Sequence, residues 1–235
     1  MKFAPFLIGI LTVVLIVTSM TNAFGFDWRF FWKTKPDQPK IAAGLKEALQ
    51  IGAENTVNRT GRIDGFYKNE AIRIPLPDQM QKAEKLLRQM GLGAEIDQFE
   101  LSLNRAAEAA APAAKELFWN AITEMTFEDA VKILNGCDTA ATDYFRSKTE
   151  AHLRTAFLPI ISRATDEVDA TRIYKQLTLE VQKIKFLKLE PVDIDQYVAT
   201  KAINGLFHVL GEEERKIRED PAARVTDLLK EVFGD

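Results

Sequence analysis

The sequence LSLNRAAEAAAPAAK, residues 101–115, is the strongest indication of how this chain folds. It is rich in alanine, and small side chains allow neighbouring helices to approach one another closely. It also continues an apolar pattern with helical spacing that begins a few residues earlier. The positions on this apolar face are Ile96, Phe99, Leu103, Ala107 and Ala110. We therefore predict that a helix over residues 94–110 is the packing axis of a helical domain.

Helical periodicity continues on both sides of this axis. Further helices are predicted at residues 41–59, 78–90, 112–125, 127–134, 138–162, 173–184, 193–219 and 220–234. Pro112 either kinks a helix or begins a new one, and Pro159 is predicted to interrupt its helix. Residues 62–77 are predicted to be irregular, because Asp64-Gly65 is typical of a turn and two prolines follow. The pattern predicts an all-α fold, a single irregular bundle of about eight or nine helices.

Composition limits the classes of function. Hydrophobic residues make up 46% and charged residues 28%, which is ordinary for a globular protein. The formal net charge is −3 and no basic stripe is present, so we do not expect nucleic acid as a partner. The single cysteine, Cys137, excludes an internal disulfide, and His152 and His208 are too few for a histidine-based metal cluster. We predict neither a metal site nor a cofactor.

The N-terminus predicts export. Lys2 precedes an almost purely apolar run at residues 3–17, and Ala23 fits the small residue before a signal-peptidase cut. We predict a signal peptide over residues 1–23, a linker rich in aromatic residues and proline over residues 24–40, and a helical domain over residues 41–235. The expected location is periplasmic or secreted. The alternative is an uncleaved inner-membrane anchor over residues 3–20, through which alone the protein would contact a membrane.

Several long, ordered motifs give the chain a family resemblance. They are GRIDGF at 61–66, AIRIPLP at 71–77, LSLNRAAEAAAP at 101–112, EDAVKILNG at 128–136, TDYFR at 142–146 and DPAARVTDLL at 220–229. Together they resemble the bacterial domain of unknown function family 4197. The resemblance implies an exported, all-helical protein and supplies no catalytic residues. Cys137 departs from the family pattern, in which proline is expected after Asn135-Gly136.

Asn104, Arg105 and Glu108 form a compact polar group on the predicted axis helix. One interpretation is a polar site at a helix crossing, in which an Arg–Glu pair binds the carboxylate or phosphate of a ligand. A second interpretation is a solvated face with an ion pair between residues three apart. A third is a buried, fully hydrogen-bonded network that fixes the register of the helices.

The irregular segment offers a second group of candidates, since loops on rigid scaffolds often carry function. Phe66 and Tyr67 could form an aromatic lid, with Arg73 as a contact for an anion. Alternatively, these side chains only hold a long connection against the bundle. Elsewhere, we expect Glu212, Glu213 and Glu214 to lie on a solvated face, and His152 to lie on the apolar side of its helix.

These observations predict a non-enzymatic protein that binds an apolar or amphipathic small molecule or an envelope protein. The binding site would be an apolar cleft between helices, rimmed by the polar group on the axis helix or covered by the irregular segment. One alternative is a hydrolase that uses carboxylates such as Glu108 or Asp138. Another alternative is a purely structural or interaction protein, for which an exposed apolar patch would be evidence.

Overall fold

The structure is a computed structural model that describes residues 38–167, 170–183 and 192–219. The predicted signal peptide, the linker up to residue 37 and the predicted helix at 220–234 lie outside these residues. Within them the chain forms eight α-helices, one turn of 3-10 helix and no strand. The helices are α1 (Gln38–Gly61), α2 (Asp78–Gln89), α3 (Gly93–Ala110), α4 (Ala114–Glu124), α5 (Phe127–Leu134), α6 (Ala140–Glu167), α7 (Ala170–Gln182) and α8 (Ile194–Glu219), with the 3-10 turn at Ala111–Ala113. The predicted all-α fold is confirmed.

Helix α3 is the packing axis, as the alanine-rich sequence predicts. It contacts α1, α2, α6, α7 and α8. All five predicted apolar positions of its inner face are buried, and Phe99 and Leu103 are completely enclosed. One further alanine near the end of the helix, Ala106, is also fully enclosed, as are Ala107 and Ala110 of the predicted face. Small side chains at these positions leave room for the neighbouring helices, which explains why so many elements meet at one helix.

Pro112 begins a new helix and does not merely kink the old one. Helix α3 ends at Ala110, the 3-10 turn carries Pro112, and α4 follows at Ala114. Proline is tolerated in the first turn of a helix because the N–H that it lacks has no partner there.

The prediction that Pro159 interrupts its helix is wrong. Helix α6 runs from Ala140 to Glu167 with Pro159 inside it. Phe157 and Ile161, on either side of the proline, are fully buried. The contact between α6 and α8 is the most extensive between any two described elements. Packing along this contact therefore outweighs the backbone hydrogen bond that Pro159 cannot make.

Two helices begin at side chains that the sequence identifies. Before α5, Thr126 accepts a hydrogen bond from the N–H of Asp129 at 3.1 Å, and Asp129 accepts one from the N–H of Thr126 at 3.1 Å. This reciprocal pair is the capping box that a threonine with an acidic residue three positions later predicts. Before α8, the Asp193 carboxylate accepts a hydrogen bond from the N–H of Gln196 at 3.0 Å.

Among the described residues, no helix is long and apolar enough to cross a membrane.

Candidate functional site

Asn104 joins α3 to the connection between α1 and α2, residues 62–77, which we call the 62–77 loop. The side chain is fully buried. Its Oδ1 accepts a hydrogen bond from the N–H of Ile74, and its Nδ2 donates to the carbonyl of the same residue, both at 2.8 Å. Nδ2 also donates to the Glu100 carbonyl at 2.8 Å. Asn104 therefore pairs with the Ile74 backbone much as a neighbouring strand would.

Glu108 and Arg105 hold the other end of the same loop. The Glu108 Oε1 accepts hydrogen bonds from the N–H groups of Phe66 at 3.0 Å and Tyr67 at 3.2 Å. The Arg105 guanidinium bonds to the other Glu108 oxygen and, at 2.7 Å, to the Asp64 carboxylate. Asp64 has a left-handed backbone with φ of 65°. Its hydrogen bonds from Lys68 and Arg105 hold the pKa of its carboxyl below the ordinary value.

The three candidates within the loop have different environments. Phe66 is fully buried, and its ring lies so close to Gly205 of α8 that an added Cβ there would be 2.7 Å from Cε1. Tyr67 is half-buried beneath the Arg73 guanidinium, whose carbon lies 4.6 Å from the ring centroid. Arg73 also donates from Nε to Glu100 at 3.0 Å. Phe66 is thus part of the core, and the stacked pair of Tyr67 and Arg73 covers the outer side of the loop.

Tyr197 of α8 adds a third attachment to the loop. Its hydroxyl donates to the Pro75 carbonyl at 3.0 Å, with the Leu76 carbonyl 3.3 Å away. Burial raises the pKa of Tyr197 to about 12, because ionisation would place an unsolvated charge inside the protein. The hydroxyl therefore remains a hydrogen-bond donor throughout the physiological pH range.

The glycines of the GRIDGF motif allow the loop to turn back on α1. An added Cβ at Gly65 would lie 2.4 Å from the Arg59 carbonyl oxygen and 2.7 Å from that of Thr60. An added Cβ at Gly61 would lie 3.1 Å from Pro112 Cγ. Only a residue without a side chain fits at Gly65, since backbone oxygens surround it.

The structure therefore brings all six sequence-predicted site residues to one place, the contact between α3 and the 62–77 loop. Asn104 and Glu108 are buried and hydrogen-bonded as in the third interpretation, and the half-exposed Arg105 adds the Arg–Glu ion pair of the second. Their hydrogen-bonding atoms are directed at the 62–77 loop, at one another and at the Glu100 carbonyl. A role in ligand binding for Asn104, Arg105, Glu108, Phe66, Tyr67 and Arg73 stays a prediction.

The expectation that Glu213 and Glu214 lie on a solvated face is wrong, since each is 6% exposed. Glu213 is paired with Arg59, Asn55 and Lys216. Burial alone would raise the pKa of Glu213, but the hydrogen bonds from Lys216 and Arg59 outweigh it and hold the pKa below the ordinary value. These partners supply the charge and hydrogen bonds that a buried carboxylate requires.

From its position just before α6, Asp138 is predicted to cap that helix, but Glu214 takes this role instead. Its carboxylate accepts hydrogen bonds from the N–H groups of Ala141 and Thr142, both at 2.9 Å. An acidic group at a helix N-terminus is stabilised by the unpaired N–H groups there. Asp138 is exposed. The two carboxylates of the hydrolase alternative, Glu108 and Asp138, thus lie on different elements, one buried under the 62–77 loop and one at the surface.

An open cleft of about 560 Å³ lies between α7 and the start of α8, which we call the α7–α8 cleft. Its α7 wall includes Tyr174, Thr178 and Leu179, and its second wall includes Val192 and Ile194. The Tyr174 hydroxyl accepts a hydrogen bond from the N–H of Val192 at 3.0 Å, which joins the two walls. The walls are mostly apolar. Volume and lining are those of a small-molecule pocket.

A second, more voluminous cleft of about 790 Å³ lies beside the 62–77 loop, and its walls are mainly polar. Its cations are largely neutralised, since Arg59 is paired with Glu212 and Glu213, and Lys68 is paired with Asp64. Within the described ranges, no group of three potential metal-binding side chains was found. The smaller α7–α8 cleft is therefore the better candidate for binding an apolar ligand.

The residues of the α7–α8 cleft are ones that sequence reasoning missed. The core face of α7 contains Ile173, Leu177 and Val181, as the helical spacing of these residues predicts. Leu179 lies off this face and is 58% exposed. A large apolar residue on the otherwise polar side of an amphipathic helix was the signal that could have indicated a second apolar surface.

Comparison with other proteins identifies the family without supplying a function. Searches of curated proteins and of solved structures gave no significant match. A family model described as protein of unknown function (DUF4197) matches residues 35–234, which is most of the chain. This match agrees with the long motifs that contribute the turn of the 62–77 loop and the centre of α3. The chain therefore belongs to the DUF4197 family.

Proposed function

We propose that this protein is an exported, non-enzymatic binding protein that takes up an apolar or amphipathic small molecule in the α7–α8 cleft. The supporting observation is the cleft itself, with about 560 Å³ of space and mainly apolar walls. Leu179 is 58% exposed and Tyr174 is half-buried on these walls, so a ligand would remove apolar surface from water on both. Burial of apolar surface is the main favourable term in such binding.

The cleft is a better place for the ligand than the predicted rim on α3. There, Asn104 is fully buried and Glu108 is 4% exposed, and the loop backbone and Arg105 occupy their hydrogen-bonding atoms. A ligand at that place would have to displace the 62–77 loop and break its hydrogen bonds to both residues. The α7–α8 cleft requires no such displacement.

The proposal includes the location of the protein. Export to the periplasm or beyond rests on the apolar run at residues 3–17 and the small residue Ala23. If residues 1–23 are retained, the same run anchors the protein in the inner membrane. In either case the helical domain would meet amphipathic molecules of the cell envelope.

One observation supports the alternative of an interaction protein. Ile63 is 78% exposed at the turn of the 62–77 loop, where the attachments of Asp64 and Phe66 to α3 fix its position. Arg62, which is exposed, precedes it in the chain. A fixed apolar side chain beside a cation fits a contact with an acidic envelope protein. Replacing Ile63 with Ser would then weaken capture of that partner and leave ligand uptake unchanged.

Ligand uptake is tested with purified mature protein by native mass spectrometry and by thermal unfolding with single-chain amphiphiles. A ligand at a hundredfold excess over its Kd adds about 2.7 kcal/mol to stability and raises Tm. We expect bound masses and a higher Tm for the unaltered protein, and neither for Leu179→Asp. Leu86→Asp is the matched control, because Leu86 is 38% exposed on α2 and does not line the cleft. A clean unliganded mass together with an unchanged Tm for all amphiphiles would contradict the proposal.

A further inference from the structure

We infer that the turn after α1 binds an extended segment of a partner protein, with one carboxylate of that segment on Arg62 and a neighbouring apolar side chain on Ile63. This inference rests on the alternative of an interaction protein and specifies the chemistry of the partner. It is independent of ligand uptake in the α7–α8 cleft. We call Asn58, Arg62 and Ile63 together the Arg62 surface.

Two clefts meet at the Arg62 surface. The polar cleft of about 790 Å³ beside the 62–77 loop is lined in part by Arg59, Arg62 and Ile63. A smaller cleft of about 330 Å³ lies between α1 and α8, and its lining includes Asn58, Arg59 and Arg62. Because the same two arginines line both clefts, a chain segment that crosses them has space for its side chains on either side.

Arg62 is the cation at this surface that is available to a partner. The other cations that line the two clefts, Arg59, Lys68 and Lys216, each form an ion pair. The Arg62 side chain is exposed and forms no ion pair or hydrogen bond with any residue that the structure describes. A free guanidinium can form two parallel hydrogen bonds with one carboxylate, which makes Arg62 a suitable contact for Asp or Glu of a partner.

Asn58 supplies a contact for the backbone of the segment. Its amide is exposed and has no hydrogen bond within the described ranges. One amide can donate to and accept from a single peptide group, as Asn104 does with Ile74 in this protein. Asn58 precedes Arg62 by four residues, or about 6 Å along a helix axis, and an extended segment advances about 6.6 Å over two residues. The surface therefore fits a backbone contact and a carboxylate two positions apart in an extended segment.

The backbone that carries Arg62 and Ile63 is held in place. The Arg62 carbonyl accepts a hydrogen bond from the N–H of Gly65 at 2.9 Å, and Arg105 bonds to the Asp64 carboxylate at 2.7 Å. Ile63 lies between these attachments and is 78% exposed. Since the turn is already ordered, little conformational freedom is lost when a partner covers Ile63. An apolar residue beside the partner's carboxylate would contact Ile63 while the carboxylate pairs with Arg62.

Glu70 limits the negative charge of the partner segment. It is exposed, lines the larger cleft and has no ion pair among the described residues. A second carboxylate near it would be repelled. The inferred segment therefore carries a single carboxylate at the point of contact and differs from a polyacidic tail.

The inference is tested by selecting random short peptides, displayed on phage, for binding to the purified mature protein. We expect the enriched peptides to share one Asp or Glu with a Leu, Ile, Val or Phe directly beside it. The most enriched peptide is then synthesised, and its Kd is measured by calorimetric titration. Replacing its acidic residue with the corresponding amide should weaken binding at least about tenfold, since a charge-assisted hydrogen bond is lost.

Variants of the protein assign the binding to the Arg62 surface. Arg62→Gln and Ile63→Ser should each weaken binding of the peptide about tenfold, and Asn58→Ala about fivefold. The matched controls are Arg163→Gln on α6 and Leu86→Ser on α2, which replace exposed residues that line neither cleft. Both controls should leave the Kd unchanged. All five replaced side chains are exposed, so Tm should change little.

Glu70→Gln should have the opposite effect on the peptide. The substitution removes the negative charge that repels the partner's carboxylate, so binding should become tighter. Weaker binding of the peptide by this variant would contradict the inferred charge of the segment.

The remaining outcomes separate the inference from the other proposals. It is overturned if no peptide is enriched or if Arg62→Gln binds the peptide as tightly as the unaltered protein. If only Ile63→Ser weakens binding, the surface contacts a partner but the inferred carboxylate is wrong. Inorganic phosphate that binds as tightly as the peptide, with no effect of Ile63→Ser, would indicate a site for small anions instead. Amphiphile uptake by Arg62→Gln should equal that of the unaltered protein, so either proposal can fail without the other.

Discussion

Asn104 shows what a single buried amide contributes to this protein. It replaces a partner strand for the Ile74 peptide, with one hydrogen bond in each direction at 2.8 Å. The 62–77 loop has no regular secondary structure after Ile72, so its backbone groups need side-chain partners wherever they are buried. Asn104 is therefore a structural residue of the loop as much as of α3.

Replacing Asn104 with Ala should destabilise the protein by about 3 kcal/mol, because the buried N–H and carbonyl of Ile74 would lose their partner. Urea unfolding followed by circular dichroism measures this change. Gln98→Ala is the control, since Gln98 is exposed on the same helix, and we expect an effect within about 0.5 kcal/mol. Equal stability of the two variants would mean that Asn104 does not hold the loop.

Glu213 should make stability depend on pH in the acid range. Its pKa is lower in the folded protein than its ordinary value of 4.5, so its contribution is complete above about that pH. The contribution is lost as the pH falls through the folded pKa, because the protonated carboxyl no longer pairs with Arg59 and Lys216. The difference in unfolding free energy between the unaltered protein and Glu213→Gln should therefore shrink below pH 4.5. Denaturant unfolding across this range measures the difference.

The control for this pH effect is Glu150→Gln. In the unaltered protein the Glu150 carboxylate forms an exposed ion pair with Arg146 at 3.6 Å. Exposed pairs contribute little, so its difference from the unaltered protein should be small at every pH. A pH-independent deficit in Glu213→Gln would show that the charge of Glu213 is not the source of its effect.

The burial of a residue could be predicted from the sequence where burial follows helical spacing. Hydrogen-bond partners that are distant in the chain could not be predicted. The five predicted apolar positions of α3 are all buried. In contrast, the partners of Asn104 and Glu108 come from about thirty and forty residues earlier, which no helical pattern can indicate. His152 was expected on the apolar side of α6, but it is exposed and Leu153 is buried in its place. An error of one position on a helix is enough to reverse such an assignment.

At the scale of elements, α8 and the 62–77 loop pack closely because Gly205 has no side chain. Gly205 lies beneath Phe66, and an added Cβ would be 2.7 Å from Phe66 Cε1 and 3.1 Å from Ile72 Cβ. Phe66 is fully buried, so its ring cannot move away without displacing other core side chains. This contact explains why a glycine occupies the middle of a long helix despite its low helix propensity.

Gly205→Ala should therefore destabilise the protein by about 1–3 kcal/mol, since the strain of overpacking exceeds the gain in helix propensity. Gly211→Ala in the same helix is a matched control, because its added Cβ would meet only Thr142 Oγ1 at 3.6 Å. That variant should be stabilised by up to about 1 kcal/mol. Thermal and denaturant unfolding compare the two. A stabilised Gly205→Ala variant would contradict the close contact between α8 and the loop.

Helix ends that are capped by neighbouring residues in the sequence were more predictable than features that depend on tertiary contacts. Capping at Thr126 and Asp193 follows from local sequence, and both caps are observed. The passage of α6 through Pro159 depends on the packing of α6 against α8, which local sequence does not contain. The start of α6 likewise depends on Glu214, some seventy residues away in the chain. Features that depend on tertiary contacts could therefore not be predicted from local sequence.

At the scale of the whole molecule, the alanine-rich axis and the bundle around it were predicted, but the proposed binding surface was not. The candidate site predicted from the sequence was a compact polar group, and the side chains of that group hold the 62–77 loop in place. The α7–α8 cleft forms from two segments whose individual patterns are ordinary. Its one sequence signal, Leu179 on the outer side of α7, was not recognised.

The predicted signal peptide determines the residue at which the mature chain should begin. When the full-length protein is produced in a bacterial host and the periplasmic fraction is collected, intact-mass analysis should show a chain that begins at Phe24. The reason is that Ala23 ends a region typical of a cleaved signal peptide. Recovery of a chain that retains residues 1–23 in the membrane fraction would support the inner-membrane anchor instead.

The location of the binding surface is tested most directly by a backbone amide NMR titration of the mature protein with lauroyl lysophosphatidylcholine below its micelle concentration. We expect the largest chemical-shift changes in α7 around Tyr174, Thr178 and Leu179 and in the first turn of α8, with the 62–77 loop unchanged. Changes centred on that loop and on Asn104–Glu108 of α3, with the α7–α8 cleft unaffected, would contradict the proposed site and return the binding role to the polar group on the axis helix.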